Sequence, residues 1–355
     1  MSAAHATIDL DDVEGLLAAD RDGLLRAASM AGAQARAMAA AVNEGELDGL
    51  RSSQRPRTVV WVHGHGPAQS AGSMLAAAVG AALSAPFVVA DVLPPWIGAL
   101  DVVVVAGEDS GDPVLVGAAN IAVRRGARVV VVAPDEGPLR EVAAGRALVL
   151  APRLPVPDEF VLMRYLSAGL AIMTVVDPAL HVDLDALADE LDAEALRNSA
   201  GREVFTNPAK NLAVRMSERQ VVLAGEGTAM LAVVRHAATV LLRVAHQLVT
   251  AVSGADALVA LHGGLAVADY ETSLFHDEEL DGPLPARVRT FVLCADSERA
   301  AVSARVAGLE GVDVVSADDV PDATAAATGS RVEQQMATLA VRLEMAAVYL
   351  KLVRG

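Results

Sequence analysis

The chain has 355 residues, with 45 Asp and Glu against 28 Lys and Arg, and so a formal net charge of −17. Its hydrophobic content of 53% excludes intrinsic disorder, and its length predicts two domains of ordinary size. The charge argues against nucleic acid and against an anionic membrane surface, since both need concentrated Lys and Arg. Cys294 alone makes no internal disulfide, which fits a cytoplasmic protein.

Residues 1–12 are polar and acidic, without the basic region and apolar run of a signal peptide. Residues 9–42 predict one or two Ala- and Leu-rich helices, giving an N-terminal helical segment over 1–50. The uncharged stretch 66–90 is long enough to raise a membrane span. Gln69, Ser70, Ser73 and Ser84 dilute it and Pro86 breaks it, so a helix followed by a buried strand is expected.

From residue 59 the pattern changes. Val59-Val60-Trp61-Val62 runs into His63-Gly64-His65-Gly66, and an Ala-rich helical stretch follows. Further apolar runs come at 87–89, 102–105, 129–132 and 148–150, with helical lengths between them. Unalternating Val runs spaced this way predict strands buried on both faces, and hence a parallel α/β sheet over 51–176, closed by a helix at 159–176. Residues 177–206 are acidic, with Leu184, Leu187, Leu191 and Leu196 at helical spacing, and read as a linker.

Residues 207–325 repeat the first half. Val221-Val222-Leu223-Ala224-Gly225-Glu226-Gly227 parallels the 59–66 run; Phe291-Val292-Leu293-Cys294 and Gly311-Val312-Asp313-Val314 parallel 104–107 and 126–129. The later pairs lie about 25 residues farther apart than the first, which predicts a duplicated unit with an insertion in its second copy, around 277–285. A C-terminal helix over 326–355 carries Val332, Met336, Leu339, Leu343, Ala346 and Leu350 as one apolar stripe, read as core packing rather than a dimer seam.

Ligands of parallel α/β sheets bind beyond the carboxyl ends of the strands. The loop at 64–70 offers glycines for a tight turn and a helix N-terminus for an anion. A dinucleotide fingerprint would need a third glycine where Gln69 and, in the second copy, Met230 stand. His63-x-His65 has too few further ligands for a metal. In the loop Gly107-Glu108-Asp109-Ser110-Gly111-Asp112, Ser110 would bond a phosphate oxygen or, more commonly for Ser there, cap the next helix, while the acids oppose an anion.

Four segments then carry a resemblance: the opening strand with Gly64-x-Gly66; Leu93-Pro94-Pro95-Trp96 with the strand leading to Ser110-Gly111; Arg125-Gly126-Ala127-Arg128; and Asn207-Pro208-Ala209-Lys210-Asn211. In this order they resemble the double sugar-isomerase (SIS) domain proteins, most of all the bifunctional phosphoglucose/phosphomannose isomerases. The resemblance implies two SIS-like domains, each a parallel sheet flanked by helices in a flavodoxin-like three-layer sandwich. It implies a homodimer without cofactor or metal, binding a phosphosugar through Gly64, His65, Gly66, Ser70, Ser110, Gly111 and Arg235. The family's reaction opens the sugar ring and moves a proton between adjacent carbons, which needs a base. His262 matches the family histidine, and Glu271 or Glu226 would stand in as base.

The departures from the family are specific. Its phosphate-loop Ser is Ala68, its Ser-Gly-Asn-Thr-Glu-Glu reads Ser110-Gly111-Asp112-Pro113-Val114-Leu115, its catalytic Glu falls near Leu242, and Lys351 lies too early for its terminal lysine. Arg153 or Arg164 would replace its first-domain arginine. Two functions follow: a phosphosugar-binding aldose–ketose isomerase of carbohydrate metabolism, or a catalytically inactive paralogue acting as sensor or partner of a sugar-phosphate enzyme.

Overall fold

The computed structural model describes residues 8–265, 287–319 and 331–354. It opens with two short helices, α1 (Val13–Ala19) and α2 (Leu24–Ala28), followed by α3 (Ala31–Asn43). Residues 26–196 form one compact unit; the N-terminal residues up to Leu25 form the other with those from Arg197 onward. The helices read from 9–42 therefore divide between the two units.

The first unit grows around the Val runs. Strands β1 (Val59–His63), β2 (Phe87–Ala90), β3 (Val102–Ala106), β4 (Arg128–Val132) and β5 (Leu148–Val149) are all parallel, in the order β2-β1-β3-β4-β5. The register sets Val59 beside Val102 and Val102 beside Arg128. Helices α4 (Pro67–Ala78), α5 (Pro113–Arg124), α6 (Gly137–Ala143), α7 (Leu162–Val176) and α8 (Leu184–Arg197) complete the unit. One face of the sheet, with Val60, Val62, Val103, Val105, Val129 and Val131, packs on Leu115, Ala118, Ala119 and Ala122 of α5 and Leu139 of α6. On the other, α4 and α7 pack together with α3. Trp61 is fully buried, and its indole N–H donates to the Ala68 carbonyl at 2.9 Å. A Cβ on Gly72 would lie 2.6 Å from the Trp61 ring, so a glycine is required where α4 crosses β1. The uncharged stretch 66–90 is thus α4 followed by β2, and the acidic 177–206 stretch holds α8, which returns to α3 through Arg36 with Asp189 at 2.6 Å and with Asp192.

The second unit repeats the arrangement. Strands β6 (Gln220–Gly225), β7 (Val249–Ser253), β8 (Val288–Leu293) and β9 (Val312–Val315) are parallel, in the order β7-β6-β8-β9. This is the first sheet's order without its fifth strand, as a duplication predicts. Helices α9 (Pro208–Met216), α10 (Gly227–Ala245), α11 (Gly254–His262), α12 (Arg299–Val306) and α13 (Val332–Arg354) flank it. Helix α10 is long and apolar enough to cross a membrane. In this fold it is a core helix, with Val233, Val234, Ala237 and Leu241 buried where α10 packs on α13, β6 and β7. The stripe expected on α13 is wider than one face, since Ala337, Ala340, Val341, Met345, Ala347, Val348 and Tyr349 are buried as well. Helix α1 joins this unit: Lys351 reaches Asp22 at 3.6 Å, and Asp11 accepts the Val204 N–H at 2.8 Å. The expected insertion around 277–285 lies outside the described residues.

Candidate functional site

In both sheets the strand order turns between the first and third strands, and the carboxyl ends of β1 and β3 make that switch point in the first unit. Strand β1 ends on His63, which is 7% exposed. Its Nδ1 lies 3.0 Å from the Gly64 carbonyl and its Nε2 3.3 Å from Asp91, just after β2, so His63 ties two strand ends together. His65 is exposed. The Gly64 N–H donates to Ala106 at 2.8 Å, and a Cβ on Gly64 would stand 3.6 Å from the Gly107 Cα, so the two loops touch. Gly66 has φ 78°, a left-handed conformation that favours glycine, and precedes α4 with Pro67 in the first helical position. No side chain caps this helix; the N–H groups of Gln69 and Ser70 turn back to the Gly66 carbonyl at 3.1 Å. With Pro67 lacking an N–H and those of Gln69 and Ser70 engaged, the Ala68 N–H is the donor of this first turn without a described partner, and with the helix dipole it offers a place for an anion.

The loop after β3 is organised differently from the expectation for Ser110. That residue is buried, and its hydroxyl donates to the Pro134 carbonyl at 2.8 Å, bracing the loops after β3 and β4. Asp112 caps α5 instead, accepting the Val114 N–H at 2.8 Å, because it directly precedes Pro113 at the helix start. The Gly111 N–H donates to Asp109 at 2.8 Å, which turns that acid onto its own loop.

Glu108, the acid next to Gly107, is the charged centre of this edge. Its Oε1 accepts from the Tyr165 hydroxyl at 2.5 Å and from the Arg164 guanidinium, both at the start of α7. Arg164 also contacts the Tyr165 hydroxyl at 2.8 Å and lies 4.6 Å from that ring's centroid. Its backbone N–H donates to Gln34 of α3 at 3.2 Å. The Arg164 side chain is 10% exposed and that of Glu108 24%, so the carboxylate is the member that meets solvent. Burial pushes the Tyr165 hydroxyl well above its ordinary value, so it remains a donor to Glu108. Of the two arginines offered as replacements for the family's first-domain arginine, Arg164 stands at this edge, while Arg153 pairs with Glu44 and Glu46. The sequence signal for this cluster is an acid directly after a strand and an arginine in the first turn of the closing helix.

In the second unit several motif residues serve packing. A Cβ on Gly225 would lie 2.3 Å from the Leu231 backbone nitrogen, so the Gly-x-Gly turn there lets α10 approach β6. Glu226 pairs with Arg305 of α12 at 2.9 Å. Lys210, from the Asn-Pro-Ala-Lys block, is fully buried and donates to the carbonyls of Ala200 at 2.8 Å and Arg202 at 2.7 Å. Asn207 caps α9 through the Lys210 N–H at 2.9 Å. Arg235 is exposed on α10, and Leu242 is half-exposed there. His262 closes α11, its Nδ1 2.7 Å from the Leu258 carbonyl. It lies about 12 Å from the carboxyl end of β7, because α11 begins there and rises about 1.5 Å per residue. Gly64, His65, Gly66, Ser70, Ser110 and Gly111 thus gather after β1 and β3 in one unit, and Arg235 and His262 belong to the other. Glu271 lies outside the described residues.

No protein-family model matches the chain, and no curated protein matches it. Solved structures do match along nearly its whole length. Glucosamine-6-phosphate deaminase from Thermotoga maritima matches with a TM-score of 0.63 at 11% identity, over 94% of this chain and 95% of that one. Tagatose-6-phosphate ketose/aldose isomerase from Escherichia coli gives 0.59 at 14%, over 99% and 94%. A glucose-6-phosphate isomerase like protein from Thermus thermophilus gives 0.54 at 20%, over 98% and 94%. With these structures the chain shares the SIS-type fold, two flavodoxin-like parallel sheets flanked by helices.

Proposed function

We propose that the chain binds a phosphosugar at the carboxyl edge of its first sheet. The observation that carries this reading is the uncapped N-terminus of α4 behind Gly66, at the switch point of β1 and β3. The helix dipole and the Ala68 N–H, which has no described partner, supply the attraction for a phosphate there, so the loss of the family's loop Ser at Ala68 removes one donor rather than the site. The three matched structures named above are called after sugar phosphates, which favours the same ligand class. A screen with the 6-phosphates of glucose, mannose, fructose and glucosamine tests it. At 100 times its Kd, a ligand of the folded state adds about 2.7 kcal/mol, visible as a higher melting midpoint. No shift with any of the four, beside a sound melting transition, would contradict the proposal.

A second reading, aldose–ketose isomerisation, rests on Glu108. Both described contacts to its carboxylate fall on Oε1, and the side chain meets solvent at the strand edge, where a base for proton transfer would stand. Arg164 and Tyr165 are then positioning residues. In D2O, the sugar that binds is expected to exchange the proton beside its carbonyl, and Glu108→Gln is expected to abolish that exchange while leaving the sugar's affinity within about threefold. Binding without exchange in the wild-type chain favours the inactive sensor or partner.

A further inference from the structure

The second unit carries a cationic cleft at the opposite edge of its sheet from the carboxyl ends. Arg219 directly precedes β6, Arg287 directly precedes β8, Arg289 is the second residue of β8, and Arg215 lies in the last turn of α9. Together with Ser217 and Glu218 they line an open cleft of about 530 Å³. That is within the range of small-molecule sites.

Two of the arginines are held in place. Arg289 Nε donates to Asp313 Oδ2 at 2.5 Å, and the Arg215 guanidinium grips the other oxygen of the same carboxylate. Arg215 also donates to Asn211 at 3.2 Å, and its guanidinium carbon lies 5.4 Å from the Phe291 ring centroid. Their side chains keep about one-third of their surface exposed, so the clamp on Asp313 does not bury them. The other two arginines, Arg219 and Arg287, are exposed and make no ion pair among the described residues. Glu218, with φ 55°, turns the chain between α9 and Arg219. The four guanidinium groups outnumber the carboxylates that act on them, Glu218, Asp313 and Asp319, in a chain of −17.

We infer that this cleft binds a small phosphate-bearing dianion, held by Arg219 and Arg287 against the Arg215–Asp313–Arg289 clamp. Like charges gathered this way repel: burial and then the neighbouring Arg289 lower the proton affinity of Arg215, and burial and then Arg219 lower that of Arg289. A bound dianion removes the repulsion, and planar guanidinium groups match phosphate oxygens in pairs. The ligand is small because the positive patch is one cleft. A nucleic-acid backbone would need a stripe of such groups, which the overall charge opposes. The inference is independent of the site in the first unit.

Calorimetric titration of the full chain with inorganic phosphate and with glycerol 3-phosphate, at fixed ionic strength set with chloride, tests it. Both probes are expected to bind, and Arg219→Gln with Arg287→Gln is expected to weaken them at least tenfold. Neither substitution removes a described side-chain contact, so the melting midpoint without ligand should stay within about 2 °C of wild type. Equal affinities for the two probes assign the site to the phosphate group alone; a much tighter glycerol 3-phosphate assigns it to an organic monoester. The inference is overturned if neither probe binds beyond chloride, or if the double variant binds them as wild type does.

Discussion

Lys210→Met is expected to destabilise the folded chain by about 2–4 kcal/mol. The Lys210 side chain is fully buried, and its ammonium is the donor for two carbonyls, Ala200 at 2.8 Å and Arg202 at 2.7 Å. It lies 5.5 Å from the Tyr349 ring centroid, and the Tyr349 hydroxyl donates to Asn198 at 2.6 Å, so one cluster fixes the chain before α9. Methionine has similar length but no donor, and strands both carbonyls in an apolar setting. Hydrogen bonds from a charged donor contribute about 1.5–3 kcal/mol each, partly offset because Met carries no charge to desolvate. In a unit of this size the loss corresponds to about 2–4 °C of melting midpoint per kcal/mol. The pH dependence has a definite sign. Burial holds Lys210 below its ordinary value of 10.5, so in the window below that value the unfolded chain binds more protons than the folded one. Wild-type stability from this group therefore rises with pH there, and the gap to the Met variant should widen between about pH 7 and about pH 9.5. Denaturant unfolding at the two pH values measures it; a gap that narrows would contradict a buried, charged Lys210.

The second large effect concerns the edge of the first sheet. Arg164→Leu leaves Glu108 with Tyr165 as its remaining described partner, and Glu108→Leu leaves a nearly buried guanidinium unpaired. Each is expected to cost about 2–4 kcal/mol, somewhat below a fully buried pair because Glu108 is one-quarter exposed. The double variant should cost less than the sum, with a coupling of about 2 kcal/mol, since neither charge is then stranded. Denaturant unfolding of the four proteins gives the cycle. Additive single effects would show that the pair is not a coupled unit, and would remove the basis for treating Arg164 as the group that positions Glu108.

Local signals in the sequence carry the architecture further than they carry the site. Eight of the nine described strands announce themselves as short apolar runs, and burial on both faces explains the missing alternation in the central ones, β1, β3 and β4. Strand β7 does not: Val249-Thr250-Ala251-Val252-Ser253 mixes polar residues, and its side chains are at most half-buried at the sheet edge. The stripe on α13 is visible, but its full burial is not. Arg342 and Glu344 fall outside that stripe, yet Glu344 meets His236 of α10 at 2.8 Å and Arg342 donates to the Ser316 carbonyl at 2.9 Å. The site depends on pairings of the same long-range kind. Glu108 and Arg164 are 56 residues apart, and only the return of α7 to the end of β3 brings them together. Ser110 departs from its expected role for a local reason, since Asp112 sits closer to the start of α5 and takes the cap. The glycines are legible as turns, but Gly225 serves helix packing and Gly66 the opening of α4.

The claim that a phosphosugar binds at the α4 end of the first sheet is tested most directly by one charge reversal. His65 is exposed in the loop beside Gly66, so His65→Glu places a carboxylate next to the expected phosphate without removing a described side-chain contact. Calorimetric titration with the sugar 6-phosphate that shifts the melting midpoint most should show at least a tenfold weaker Kd in His65→Glu, with the unliganded midpoint unchanged. An unchanged affinity in His65→Glu would contradict the placement of the phosphosugar at this edge.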